Sequence, residues 1–118
     1  MKKKIVLLSL LLTLTGCTSN KELYCEIKNV KKSDGIMTSM VTFNIDENDK
    51  VVSSKIIENW EFATKEGADA FFESYKNNSE RINDTEVKYT IIQEYTEDVT
   101  KEEIKKAMEG QEYSCNYK

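Results

Sequence analysis

The chain has 118 residues, 17 of them basic, 21 acidic and none histidine, and carries a formal net charge of −4. That is about one small domain, and its acidity disfavours nucleic acid and anionic lipid headgroups as partners. Without histidine the chain lacks the usual general base near neutral pH and the commonest transition-metal ligand, and therefore Ser-His-Asp and Cys-His nucleophile systems.

The amino terminus reads as an address. Met1 to Lys4 is a short cationic stretch, and Ile5 to Leu14 is an almost unbroken apolar run. The run has the length of a secretory h-region and is too short to span a bilayer, which takes about 20 apolar residues. It ends in Leu14-Thr15-Gly16-Cys17, which resembles the bacterial lipobox: an aliphatic residue, small residues, then the cysteine whose thiol takes the diacylglyceryl chain. The expected organisation is a signal peptide over 1–16, a lipidated Cys17 with a short tether over 17–22, and one domain over 23–118. Lipid chains then hold the protein at the membrane, since each buried methylene is worth about 0.8 kcal/mol. Thr18 to Glu22 reaches at most about 17 Å, so the domain lies close to the bilayer. Cleavage removes three lysines and leaves 14 basic residues against 21 acidic, a balance of −7.

Within the domain, Leu23 to Val30 alternates weakly and predicts a strand. Lys31 to Gly35 predicts a turn, with Asp34-Gly35 its strongest signal. Ile36 to Ile45 is the clearest strand: Met37, Val41, Phe43 and Ile45 fall on one face and Thr38, Thr42 and Asn44 on the other. Asp46 to Asp49 predicts the next turn, and Val51 to Phe62 a third strand. The period then changes. Ala68, Phe71, Phe72 and Tyr75 form one helical stripe, with Thr64 as N-cap, fading near Asn77-Asn78. After a loop at Asn83-Asp84, Val87 to Tyr95 predicts a fourth strand, with Val87, Tyr89, Ile91 and Tyr95 on one face. Thr100 to Glu103 is a capping box opening a short helix with Ile104, Ala107 and Met108 on its apolar side; Gly110 is expected to stop it. Glu112 to Tyr117 closes the chain as a strand. The order β-β-β-α-β-α-β predicts a two-layer α+β domain, an antiparallel sheet with helices on one face.

Cysteine parity points to the same compartment. With Cys17 given to lipid, Cys25 and Cys115 remain, and an even pair outside the cytoplasm predicts a disulfide. Such a bridge sets the first and last strands together.

Several of these features resemble the YehR-like family of small bacterial lipoproteins and its Gram-positive relatives. They are the lipobox, the Phe43-x-x-Asp46…Lys50-Val51 hairpin, the aromatic helix after the meander, the Tyr89-centred late strand, and an early cysteine with a terminal Tyr113-Ser114-Cys115. The resemblance implies an α+β fold and carries no catalytic residue.

No catalytic site is expected. The Asp46, Glu47 and Asp49 cluster does not match an EF-hand loop, because Val51 stands where the turn glycine belongs, and reads as a solvated turn. Glu94, Glu97 and Asp98 form a second acidic patch. No phosphate-cradling glycine loop is present, and neither cofactor nor metal is expected. Trp60, Tyr75 and Tyr95 are candidates to line an aromatic ligand groove between helix and sheet; the alternative for such residues is ordinary core. The leading expectation is a non-enzymatic, membrane-anchored, extracytoplasmic domain that binds an envelope protein or peptide. The alternatives are a small-molecule-binding lipoprotein using the aromatic groove and a carboxylate-based envelope hydrolase.

Cys17→Ser is expected to abolish incorporation of radiolabelled palmitate and to release the protein from the membrane fraction. Unchanged labelling and fractionation would contradict the lipobox.

Overall fold

The computed structural model describes residues 21–118. The apolar segment, the lipobox and Cys17 lie outside the described residues. Six strands and two helices follow in the order β1 (Glu22–Lys32), β2 (Gly35–Ile45), β3 (Val51–Phe62), α1 (Lys65–Ser74), β4 (Ser79–Arg81), β5 (Glu86–Glu94), α2 (Lys101–Gly110) and β6 (Ser114–Tyr117). A single 3-10 turn, Lys76–Asn78, joins α1 to β4. All strands belong to one antiparallel sheet with spatial order β4-β5-β3-β2-β1-β6. The expected α+β class holds. The expected element order lacks one strand, β4, which the sequence hides in three residues, Ser79-Glu80-Arg81, too few to show an alternation.

Period-two patterning explains which side the helices cover. Residues directly opposite one another across antiparallel strands share a face. Cys25, Val41, Ile56 and Ile91 form one such row, and Met37, Trp60 and Val87 another. Both rows carry the apolar residues, and both helices pack on that face. At one end Leu23, Cys25, Val41, Phe43, Ile45, Val51 and Cys115 are buried beneath Ile104 and Met108 of α2. At the other, Phe62 and Val87 are buried with Ala68 of α1, flanked by Trp60, Phe71 and Phe72. The core is therefore two clusters on one sheet face. Burying a side chain such as Leu23 or Val51 fully contributes about 1.5–3 kcal/mol.

The helix caps form as the sequence predicts. Thr64 Oγ1 accepts from Gly67 N–H at 3.0 Å. Thr100 Oγ1 accepts from Glu103 N–H at 3.1 Å while Glu103 Oε1 accepts from Thr100 N–H at 2.9 Å. The Thr100 N–H, and the Thr100 hydroxyl donating to Glu103 Oε1 at 3.1 Å, hold the Glu103 carboxyl below its ordinary pKa.

Two turns depart from expectation. The β1–β2 hairpin reverses over Ser33-Asp34 alone, since Lys32 already pairs with Gly35. Gly35 is the first residue of β2, and its missing side chain matters because a Cβ there would run into the carbonyl oxygen of Glu61 on β3. The second departure is at α2. Gly110 is its last helical residue rather than its stop, and the left-handed position just beyond belongs to Glu112, with φ 73°.

The terminal strands are neighbours, and Cys25 and Cys115 stand directly opposite each other. They form a disulfide with a Cα–Cα separation of 4.1 Å, closing 90 residues of sequence. Cys25 is fully buried in the α2 cluster. The β6 partner covers only Leu23 to Glu26 of β1. The rest of that edge carries Lys28, Lys31, Lys32 and a bulge at Asn29, with φ 57°, features that discourage strand addition.

Closing a loop of this length removes about 4.5 kcal/mol of unfolded-state entropy at 25 °C by chain-entropy reasoning. Reduction, or the pair Cys25→Ala with Cys115→Ala, is expected to lower the melting temperature by at least about 10 °C. Iodoacetamide is expected to alkylate neither cysteine until reductant is added. Alkylation of both without reductant, and identical melting with it, would contradict the bridge.

Candidate functional site

Trp60 lies on β3 facing α1, in register with Met37 and Val87. Its ring stacks on Phe62 with centroids 5.5 Å apart and meets Phe71 of α1 at 5.0 Å. Phe71 continues to Tyr75 at 4.8 Å, and Tyr75 to Tyr89 of β5 at 5.0 Å. This run of rings exists because α1 places Phe71 and Tyr75 four residues apart on one side, over two strands that present aromatics at matching height. Each such contact contributes about 0.5–1.5 kcal/mol beyond burial.

Between α1 and the β1–β2 hairpin the rings open into a groove of about 410 Å³, lined by Trp60, Phe62, Phe71 and Tyr75, with Gly67, Ala70, Ser74 and Asp34 at its margins. Tyr75 is 45 % exposed at its mouth. Two of the three residues singled out from the sequence, Trp60 and Tyr75, thus line one groove. Tyr95 does not join them. It packs edge-on to Phe43, with centroids 6.4 Å apart, in the α2 cluster. Val87 is the residue opposite Trp60, and Tyr95 lies eight residues further along the chain, about 27 Å in extended geometry. Periodicity put Tyr95 on the correct face and said nothing of its height.

A residue that the sequence did not flag anchors one ring of the groove from outside its lining. Glu58 belongs to the inward series Ser54, Ile56, Glu58, Trp60 and Phe62 of β3 and accepts a hydrogen bond from Trp60 Nε1–H at 2.8 Å. The register row through it runs Ile27, Ser39, Glu58, Tyr89 and Ser79 across five strands. It crosses the sheet between the two helix-covered clusters. Burial pushes the Tyr89 hydroxyl pKa up, helped by Tyr75 and the Glu58 carboxylate. Ser39 Oγ and Ser79 Oγ are buried without a hydrogen-bond partner. The signal for Glu58 was a lone carboxylate at an inward position of an apolar series.

The opposite sheet face holds a second hollow, about 300 Å³, with Asn29, Ile36, Thr38, Asn59, Glu61 and Glu86 around it. Among the described residues no helix covers this face, and Ile36, Val52 and Ile92 are exposed on it. The acidic turn is occupied by its own backbone: Asp46 Oδ1 accepts from Asn48 N–H at 2.8 Å and Lys50 N–H at 3.0 Å. Asp49 pairs with Lys101 at 3.3 Å, and Asp98 with Lys50 at 3.1 Å.

The position of α1, and with it the groove, depends on Asp69. This carboxylate takes Arg81 Nη1 from β4 at 2.5 Å and Lys65 Nζ at 2.9 Å. Arg81 first, then Lys65, hold its pKa below the ordinary carboxylate value. A depressed folded-state pKa stabilises the fold above the unfolded value, and that contribution is lost as pH falls through the folded value. Asp69→Asn is therefore expected to melt below the parent protein at neutral pH, with the gap closing in acid. A pH-independent gap would mean the ion pairs are not its source.

No protein-family model, curated protein or solved structure matches the chain.

Proposed function

We propose that this chain is a membrane-anchored, extracytoplasmic lipoprotein whose domain binds an envelope protein or peptide and catalyses no reaction on it. The observation that carries the binding reading is the groove beside α1. A large indole and a tyrosine are left accessible in an open concavity, where a surface-lying partner has room, and aromatic residues of this kind are those that dominate recognition hot spots. The disulfide is compatible with an oxidising compartment outside the cytoplasm. Among the described residues no helix is long and apolar enough to cross a membrane, so attachment by lipid at Cys17 fits the domain's architecture.

The same groove favours a second reading, a small organic ligand seated against Trp60 and Tyr75. Its openness to solvent makes it the weaker one, since small-molecule sites enclose most of their ligand.

Site-specific photo-cross-linking in cells separates these readings. A benzophenone side chain at Tyr75 is expected to give a discrete higher-mass adduct, and the same group at exposed Glu102 on α2 none. Trp60→Ala, introduced beside it, is expected to reduce the Tyr75 adduct several-fold. Equal adducts from both positions, or none from Tyr75, would contradict a partner at the groove.

A further inference from the structure

We infer that the groove beside α1 receives a basic side chain, the ammonium of lysine or the guanidinium of arginine, from a peptide segment of the partner; this rests on the binding reading above and specifies its chemistry.

The groove offers what an organic cation on an apolar stem requires. Trp60, Phe71 and Tyr75 present ring faces, whose quadrupoles attract a cation within about 6 Å of the centroid. Their apolar surface covers the methylenes of the stem, which lysine and arginine bury readily. One carboxylate, Asp34, lines the groove. A second, Glu58, stands outside the lining and accepts from the indole N–H edge of Trp60. A negative charge on that edge makes the indole face a better cation acceptor.

Neither carboxylate is neutralised from within. Among the described residues the ion-paired acids are Glu26, Asp49, Asp69, Glu73, Asp98 and Glu109. The bases around α1 are engaged: Lys65 and Arg81 with Asp69, and Lys76 with Glu73 at 3.9 Å. Lys31 and Lys32, exposed in the strand before Asp34, form no ion pair with it. The groove lining itself contains no lysine or arginine.

The domain's charge acts in the same direction. A balance of 14 basic to 21 acidic residues over 21–118 steers a basic segment in and repels an acidic one.

Trp60 is the only tryptophan in the chain, so its fluorescence reports on the surroundings of this one side chain. The full-length protein in neutral detergent micelles is titrated with blocked pentalysine, pentaserine and pentaglutamate. Pentalysine is expected to shift Trp60 emission saturably, and the other two are not. Glu58→Gln and Asp34→Asn are each expected to weaken pentalysine about tenfold, Tyr75→Ala more than Tyr75→Phe, and Glu47→Gln in the distant turn not at all. Asp34 is exposed in a hairpin turn, so its substitution tests the inference even if changes at Glu58 disturb the sheet. Equal weakening by Glu47→Gln would reduce the effect to general attraction to an acidic surface and overturn the inference. An equal response to pentaserine would overturn the cation specificity while leaving groove binding intact. No response to any peptide would overturn it as well, with the photo-cross-links still deciding whether the groove meets a partner.

Discussion

Two short helices must cover one face of a six-stranded sheet, and they are too small to do it. Each helix has ten residues, about 15 Å of axis. The sheet is about 24 Å wide, and its central strands of 11 and 12 residues run to nearly 40 Å. The helices therefore cover opposite ends. One buried cluster forms beneath α2 around Phe43 and another against α1 around Phe62, with a polar row between them. The inward Glu58 and the Ser39 hydroxyl lie along the boundary that this shortfall creates, and the aromatic groove opens beyond it, toward the β1–β2 hairpin.

The same shortfall explains why the fold needs a covalent tie. A domain that buries only one sheet face has a thin stability margin, and small domains open first at their edges. The Cys25–Cys115 bridge joins an edge strand of four residues to the strand beside it, with both cysteines in the larger cluster. At the far edge, where β4 has only three residues, Asp69 takes that part through Arg81 and Lys65. Each edge is held by a local device in place of extensive packing, a covalent bridge at one and a half-exposed set of ion pairs at the other.

Much of this was legible in the residues. The alternation of β2, the stripe of α1, the Thr100–Glu103 capping box and the pairing of two cysteines are local or counting signals, and each formed as read. The misses share a cause: they depend on strand register, which no single segment encodes. Gly35 looked like a turn residue, yet its role is set by the approach of Glu61 from β3. Tyr95 shares a face with Trp60, yet register carries it to the other cluster. The strand β4 exists only because β5 offers three partners. Glu58 was invisible as a site residue until Trp60, Tyr89 and Ser39 were brought around it.

Under the proposed binding reading, Glu58 is the position at which folding and binding make opposite demands. A carboxylate in an inward series loses hydration, and among the described residues the indole N–H of Trp60 compensates it. If the row is kept polar for a partner, an apolar side chain there improves the fold and abolishes recognition. The direct measurement is thermal unfolding of Glu58→Leu beside its pentalysine titration. The expected result is a melting temperature equal to or above that of the parent protein, with the Trp60 response to pentalysine lost. A melting temperature lowered by about 10 °C or more, roughly the loss of a buried structural interaction in a domain of this size, would show that Glu58 serves the fold, and would contradict its assignment to a binding site.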